Sequence, residues 1–351
     1  MLRIGRNNNE IQTKEILDTG WEDITSVCMW IGMVEKYNFD KVEAERQIDL
    51  LTAHLGSTID TYDKEWLDCY KKCDIINKII ETKQKVVVVL IGIRYEVGGG
   101  HLQGCHNDIV SIYNYLKKVY ETKIDDLEFI VLADSTDKLC GDITNIPPTR
   151  ANIIETLNKV KNNYKKFFIH YSGHGAYITD ISGDEADKKD ELIVPYDYKT
   201  AGIITDDQLN TVFLQQLDQK CVVRILMDCC NSGTLWDLQH KYSESAVNTN
   251  TNSPNITANV IKLSGCKDDQ YSYDVFTYGK YQGAFTSCFV KNMEDNGNQL
   301  NMIDLTKNIN KSLIAGGWSA QTSRLSSSFL LLDTNIFVDF TLPESGNTLL
   351  Q

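Results

Sequence analysis

The sequence predicts an α/β fold in which a mostly parallel sheet is covered by helices on both faces. Three observations carry that prediction. From residue 85 onward, dense apolar runs recur at residues 86–91, 128–133, 167–169 and 222–227. Runs rich in β-branched and aromatic residues mark strands buried on both faces. Between them lie longer stretches with helical spacing, and strands that alternate with helices build parallel sheets. Finally, two glycine-bearing motifs, His170-Tyr171-Ser172-Gly173-His174-Gly175 and Asp228-Cys229-Cys230-Asn231-Ser232-Gly233, directly follow the third and fourth runs. Ligands gather at the carboxyl ends of such strands, so both motifs stand where a site is expected.

The elements follow in order. Residues 1–84 read as a helical segment: 21–32, 41–55 and 64–83 carry apolar residues at helix-like spacing, with a break at Gly56-Ser57-Thr58. No chemistry stands out there, and a cap or packing layer is the expectation. Residues 85–351 read as one domain with a first half at 85–237, a flexible loop at 238–258 and a second half at 259–351. The strand at 86–91 leads through Gly98-Gly99-Gly100 to a helix at 107–120. A second helix starts near Pro148-Thr149-Arg150. A third spans 205–217. The stretch 248–255, Asn-Thr-Asn-Thr-Asn-Ser-Pro-Asn, is too polar for core and reads as surface loop. A strand at 260–263, helices at 284–293 and 302–313, and a strand at 329–332 complete the chain.

Composition excludes several classes of function. The formal charge of −13 and the absence of a long Lys/Arg run argue against binding nucleic-acid backbone. Excess carboxylate suits cationic peptides or hard metal ions instead. The ten cysteines are dispersed, with no Cys-x-x-Cys pair and no zinc-finger spacing, so reduced thiols in the cytosol or nucleus are expected. The first residues lack the apolar core of a signal peptide, and no run reaches the length of a membrane span.

The two motifs supply a histidine and a cysteine at adjoining strand ends. A cysteine attacks as thiolate, and a neighbouring imidazole both lowers its pKa and protonates the leaving amine. Gly173, Gly175 and Gly233 allow the backbone to approach a substrate and aim amides at a developing oxyanion. A zinc site at His170 and His174 fits poorly, since a spacing of four places two rings together on a helix and not at a strand end. A dinucleotide site at Gly98–Gly100 fails because Gln103 holds the third glycine position and no Gly-Lys-Ser/Thr follows.

Both motifs resemble the catalytic blocks of metacaspases, the caspase-related proteases of plants, fungi and protists. The likeness extends to Gly104-Cys105-His106-Asn107-Asp108, to residues 264–270 and to residues 321–328, covering roughly 85–340. The dyad separation, 230 − 174 = 56 residues, is near the roughly 50 of caspases. The resemblance implies a caspase-like three-layer α/β sandwich and a cysteine endopeptidase that cuts after Arg or Lys. Carried over residue by residue, Cys230 is the nucleophile, His174 the general base, and the amides of Gly175 and Cys230 the oxyanion donors. Asp108 and Asp228, lined by Cys105 and Ser172, form the pocket for the basic side chain. Two carboxylates can hold a guanidinium or ammonium by charge-assisted hydrogen bonds. The resemblance also implies calcium as activator at Asp190, Asp206, Asp207 and Asp237, a monomer, and self-cleavage at exposed lysines such as Lys188, Lys189 or Lys241. An EF-hand at 180–191 fits less well, because Glu185 stands where that loop needs glycine.

The sequence departs from the family pattern in three ways. Asn231 replaces the histidine that follows the nucleophile in many relatives. Residues 1–84 stand in place of a Pro/Gln-rich or zinc-finger prodomain. The short connection between halves disfavours the type II arrangement. A caspase-like scaffold or protein-quality-control protein with vestigial peptidase activity is the alternative function.

Overall fold

The structure is a computed structural model that describes residues 85–96, 100–121, 126–179, 189–243, 246–250, 253–266, 273–277, 279–332 and 335–340. The helical expectation for 1–84, most of the acidic segment 183–191 and residues 267–270 lie outside the described residues. The described residues all belong to one compact unit.

The four apolar runs become four parallel strands: β1 (Val86–Gly92), β2 (Leu127–Ala133), β3 (Lys166–Ser172) and β7 (Val222–Asp228). With β10 (Asn259–Ser264), β13 (Arg324–Ser327), β8 (His240–Tyr242) and β9 (Val247–Thr249), they form an eight-stranded sheet in the order β2-β1-β3-β7-β10-β13-β8-β9. β2 through β10 are parallel, while β13, β8 and β9 run antiparallel.

Period-two alternation decides the layers. Val86, Val88, Leu90, Phe168 and Leu226 face one core, and Val87, Val89, Ile91, Phe167, Ile169, Val223 and Ile225 face the other. Onto the first core pack helices α1 (Cys105–Val119), α4 (Ala284–Asp295) and α5 (Met302–Ala315), through Ile109, Ile112, Phe285, Phe289, Leu305 and Ile309. Onto the second pack α2 (Arg150–Asn163) and α3 (Asp206–Val212), through Ile153, Leu157, Val160 and Leu209. Each such aliphatic side chain contributes about 1.5–3 kcal/mol on burial. The result is the three-layer sandwich expected of a caspase-like fold. Thr149 caps α2 by accepting from the Asn152 amide at 3.2 Å.

Three expectations change. The stretch 238–258 is not wholly loop, since β8 and β9 lie within it. A sheet edge offers backbone partners to polar residues, so low apolar content does not prevent a strand there. Among the described residues the last strand is Arg324–Ser327, upstream of the apolar run: Leu330 and Leu332 are exposed, whereas Ser326 and Ser327 are buried and paired with β10. Two small sheets also went unread: β4 (Gly175–Thr179), β5 (Lys189–Ile193) and β6 (Ile204–Thr205), and the hairpin of β11 (Asp274–Thr277) and β12 (Lys280–Gly283). Asp190 and Glu191, read as part of an acidic loop, are buried in β5.

Candidate active site

β3 and β7 are neighbours in register, with Ser172 opposite Asp228, so the segments after them emerge side by side. One cavity of about 40 Å³ is lined by His174 and Cys230 together with Cys105, Asp108, Ser172 and Asp228. Both dyad candidates and all four pocket candidates thus meet in one place. Leu102, Gly173, Tyr273, Asp274 and Gly283 complete the wall.

His174 is held on every side. Its amide donates to Tyr95 Oη at 3.0 Å, its carbonyl accepts from Tyr171 Oη at 2.7 Å, and its ring lies 4.6 Å from that of Tyr95. Nε2 contacts the Gly100 carbonyl oxygen at 2.5 Å. A carbonyl can only accept, so Nε2 carries the proton and Nδ1 of the neutral ring is the basic nitrogen. Gly100 has φ +80°, where a side chain is strained, and an added Cβ would stand 2.9 Å from Nε2. The loop from β1 is fixed in turn by Asp134, which accepts from the amides of Arg94 at 2.9 Å and Tyr95 at 2.8 Å and contacts His106 Nε2 at 2.8 Å. Burial alone would raise the Asp134 carboxyl, yet these bonds carry it below its ordinary value.

His170 plays a different part. Its ring is fully buried, Nδ1 donates to the Leu226 carbonyl at 3.1 Å, and burial lowers its pKa to about 4. It is a neutral strut between β3 and β7, and it does not share the cavity with His174.

Cys230 is half-exposed, whereas Cys229 beside it is buried, and burial pushes its thiol well above the ordinary range. Only the former can meet a substrate. Asn231 adopts φ +50°, a left-handed conformation that Asn tolerates better than most residues. A Cβ on Gly175 would collide with the Cys230 carbonyl oxygen, which explains glycine there.

The pocket carboxylates are buried, Asp108 in the first turn of α1 and Asp228 at the end of β7. Asp108 accepts from Ser172 Oγ at 2.7 Å and the Gly283 amide at 2.8 Å. Asp228 accepts from the amide and hydroxyl of Thr286 at 2.9 and 2.7 Å. A Cβ on Gly283 would collide with Asp228 and stand 3.0 Å from Asp108 Oδ2, so the two carboxylates converge on this glycine. Burial first, and then the charge of Asp228, hold the Asp108 carboxyl well above its usual range. The same burial raises the Cys105 thiol, followed by the charge of Asp108. A buried acidic pair of this kind is complementary to a cationic side chain.

Comparison with known proteins accords with this geometry. Residues 87–239 match the family model described as metacaspase, peptidase C14 domain. Metacaspase-1 of Saccharomyces cerevisiae is 30% identical over 296 residues, covering 68% of this chain and 66% of that protein. Metacaspase-1 of Meyerozyma guilliermondii is 30% identical over 291 residues, covering 68% of each. The chain belongs to the metacaspase family. Metacaspase-1B of Aspergillus oryzae is 29% identical over 298 residues, covering 71% of this chain and 68% of that one. The matched region spans about two thirds of these relatives' lengths. A solved structure from Geobacter sulfurreducens aligns with a TM-score of 0.49 and 21% identity over 70% of this chain and 93% of that one, too distant to bear on the site.

The acidic quartet is spread over three segments, with Asp190 in β5, Asp206 and Asp207 at the start of α3, and Asp237 after β7. Asp190, Asp206 and Asp237 are buried, and α3 packs on β5. Asp206 Oδ1 accepts from the Asp207 amide at 3.0 Å, and Asp237 accepts from Asn210 Nδ2 at 3.4 Å. Their hard oxygen donors suit calcium. Among the described residues no group of three or more His, Cys, Asp or Glu is already gathered around a metal position.

Sequence reasoning missed Asp274, Gly283, Gly100 and Lys262. Asp274 and Gly283 belong to the unread hairpin, whose two ends face each other and wall the pocket. Lys262 is fully buried behind the nucleophile segment. Two larger cavities, of about 330 and 260 Å³, lie along β8, β13 and α5 and contain neither dyad member. Among the described residues no disulfide is present, and no helix is long and apolar enough to cross a membrane.

Proposed function

We propose that this metacaspase is an endopeptidase cutting after Arg or Lys, with Cys230 as nucleophile and His174 as general base. One observation carries the proposal: two buried aspartates wall the same small cavity as the dyad. His174 Nδ1 takes the thiol proton, and the Cys230 thiolate adds to the carbonyl carbon of the basic residue. The amides of Gly175 and Cys230 receive the oxyanion. His174 then protonates the leaving amine, and water releases the acyl group and regenerates the thiol. Asp108 and Asp228 neutralise the substrate's cation, which offsets the cost of burying it.

Calcium belongs to the proposal as an activator through which no chemical step passes. Three buried carboxylates around the start of α3 support it, and a dication would have to draw them together. Self-processing at Lys189 or Lys241 meets an obstacle. Both lie in strands, Lys189 opposite Thr179 and Lys241 between Ser326 and Asn248, so cleavage there requires local opening. Lys188 lies outside the described residues. A reducing compartment and a monomeric state complete the proposal.

The test is hydrolysis of paired fluorogenic peptides ending in Arg or Asp, with calcium or chelator, by wild type and C230A. Release from the Arg peptide alone, lost in C230A, is the expected result. Full cellular activity of C230A would instead support the scaffold function.

A further inference from the structure

The segment after the nucleophile is strained. Asn231, Trp236 and Asp237 all have positive φ, at +50°, +79° and +40°, within the segment 230–237 that begins with Cys230. Left-handed conformations at non-glycine residues persist only where the surroundings over-determine them. Two devices do so here.

The first acts on the peptide between Cys229 and Cys230. The Cys229 carbonyl accepts from Ser232 Oγ at 2.9 Å and from Cys266 Sγ at 2.9 Å. No peptide in the described chain is cis, so the Cys230 N–H points opposite to that carbonyl, away from the core. The second device is Lys262 on β10. Its ammonium is fully buried and donates to the carbonyls of Ser232 at 3.0 Å, Gly233 at 2.9 Å and Leu235 at 2.5 Å. An ammonium has three donors, and three converging carbonyls use all of them. By the same antiparallel geometry, the N–H groups of Gly233 and Thr234 turn away from Lys262.

We infer that Lys262 is a positioning residue for the nucleophile: by gathering the carbonyls of Ser232, Gly233 and Leu235 it holds the segment after Cys230 in the shape that presents the Cys230 thiol and amide to the substrate. Cys266 assists from the other side of Asn231. This inference rests on Cys230 being the nucleophile. Lys262 touches no substrate atom, so its effect falls on the transition state, where oxyanion geometry matters, more than on substrate binding.

The test compares K262M with wild type in four measurements: kcat, KM, affinity for a substrate-like peptide aldehyde, and the rate at which iodoacetamide alkylates Cys230, with C230A as the background. Alkylation reports thiolate reactivity and needs no oxyanion site. The expected result is a kcat lowered about tenfold to a hundredfold. Aldehyde affinity should fall in parallel, since its adduct carries the oxyanion. KM and alkylation should stay within about twofold of wild type. C266A should show the same pattern more weakly. If Met prevents folding, K262Q keeps two N–H donors and takes its place. Unchanged kcat in a folded variant overturns the inference, as does a fall in alkylation and kcat in proportion to the folded fraction. Loss of neither turnover nor labelling in C230A would overturn the underlying assignment instead, a distinguishable outcome.

Discussion

Two acidic sites lie in this domain, and they differ in what their burial achieves. Asp108 and Asp228 come from α1 and β7, yet they meet at Gly283 and wall a cavity beside the dyad. Asp190, Asp206, Asp207 and Asp237 come from β5, the start of α3 and the segment after β7, and among the described residues no group of three or more His, Cys, Asp or Glu is already gathered around a metal position. Buried charge of one sign is therefore insufficient to define a site. What distinguishes the pair is convergence on a space, kept open by a glycine and by amide and hydroxyl donors that orient the carboxylates from outside it.

The largest effect should come from neutralising the pair. In D228N or D108N a bound guanidinium loses a buried partner, which costs about 2–5 kcal/mol. Cleavage after Arg should fall about thirtyfold or more in kcat/KM, while Cys230 alkylation persists. Equal loss of alkylation would mean that the aspartates support the fold and not the pocket. G283A comes next. Its methyl would intrude between the carboxylates, raising KM for an Arg peptide by about a hundredfold. An unchanged KM would place the basic side chain elsewhere.

For the quartet, calcium at about a hundred times its Kd should add about 2.7 kcal/mol of stability, visible as a raised thermal midpoint. In D206N that increment should vanish. A shift of equal size in both proteins would move the metal away from these residues. The smallest effect concerns protons. Burial and Asp228 raise the Asp108 carboxyl, so ionising it costs stability as pH rises from the ordinary 3.8 through the raised value. A cationic substrate favours the ionised form, so binding should release up to about one proton, and KM should climb as pH falls. Calorimetry of C230A with an Arg peptide in buffers of different ionisation enthalpy measures it. Proton uptake would reverse the assigned direction.

Legibility was uneven for identifiable reasons. The strands at 86–91 and 222–227 were readable because burial on both faces leaves a continuous apolar run. The strand at Arg324–Ser327 was not, since its buried residues are mostly serines and its place depends on pairing with β10. β8 and β9 escaped for a related reason: edge strands are held by backbone pairing that polar sequence does not reveal. Within the site, Cys230 and His174 were readable from motif chemistry. Lys262 looked like an ordinary polar residue in the strand Val260-Ile261-Lys262-Leu263, and no local pattern announces a lysine buried to gather three carbonyls.

The sequence by itself determined the layers, because alternating burial along β1, β3 and β7 is a property of local residue order. It also supplied the reactive groups, because nucleophile, base and carboxylates are matters of residue type. The tertiary structure decided which of these groups meet. Register between β3 and β7 brought the two motifs together, a hairpin remote in sequence closed the pocket, and convergence of carboxylates distinguished the pair from the quartet. Such contacts join residues far apart along the chain, so they depend on how elements pack and not on any segment's own pattern.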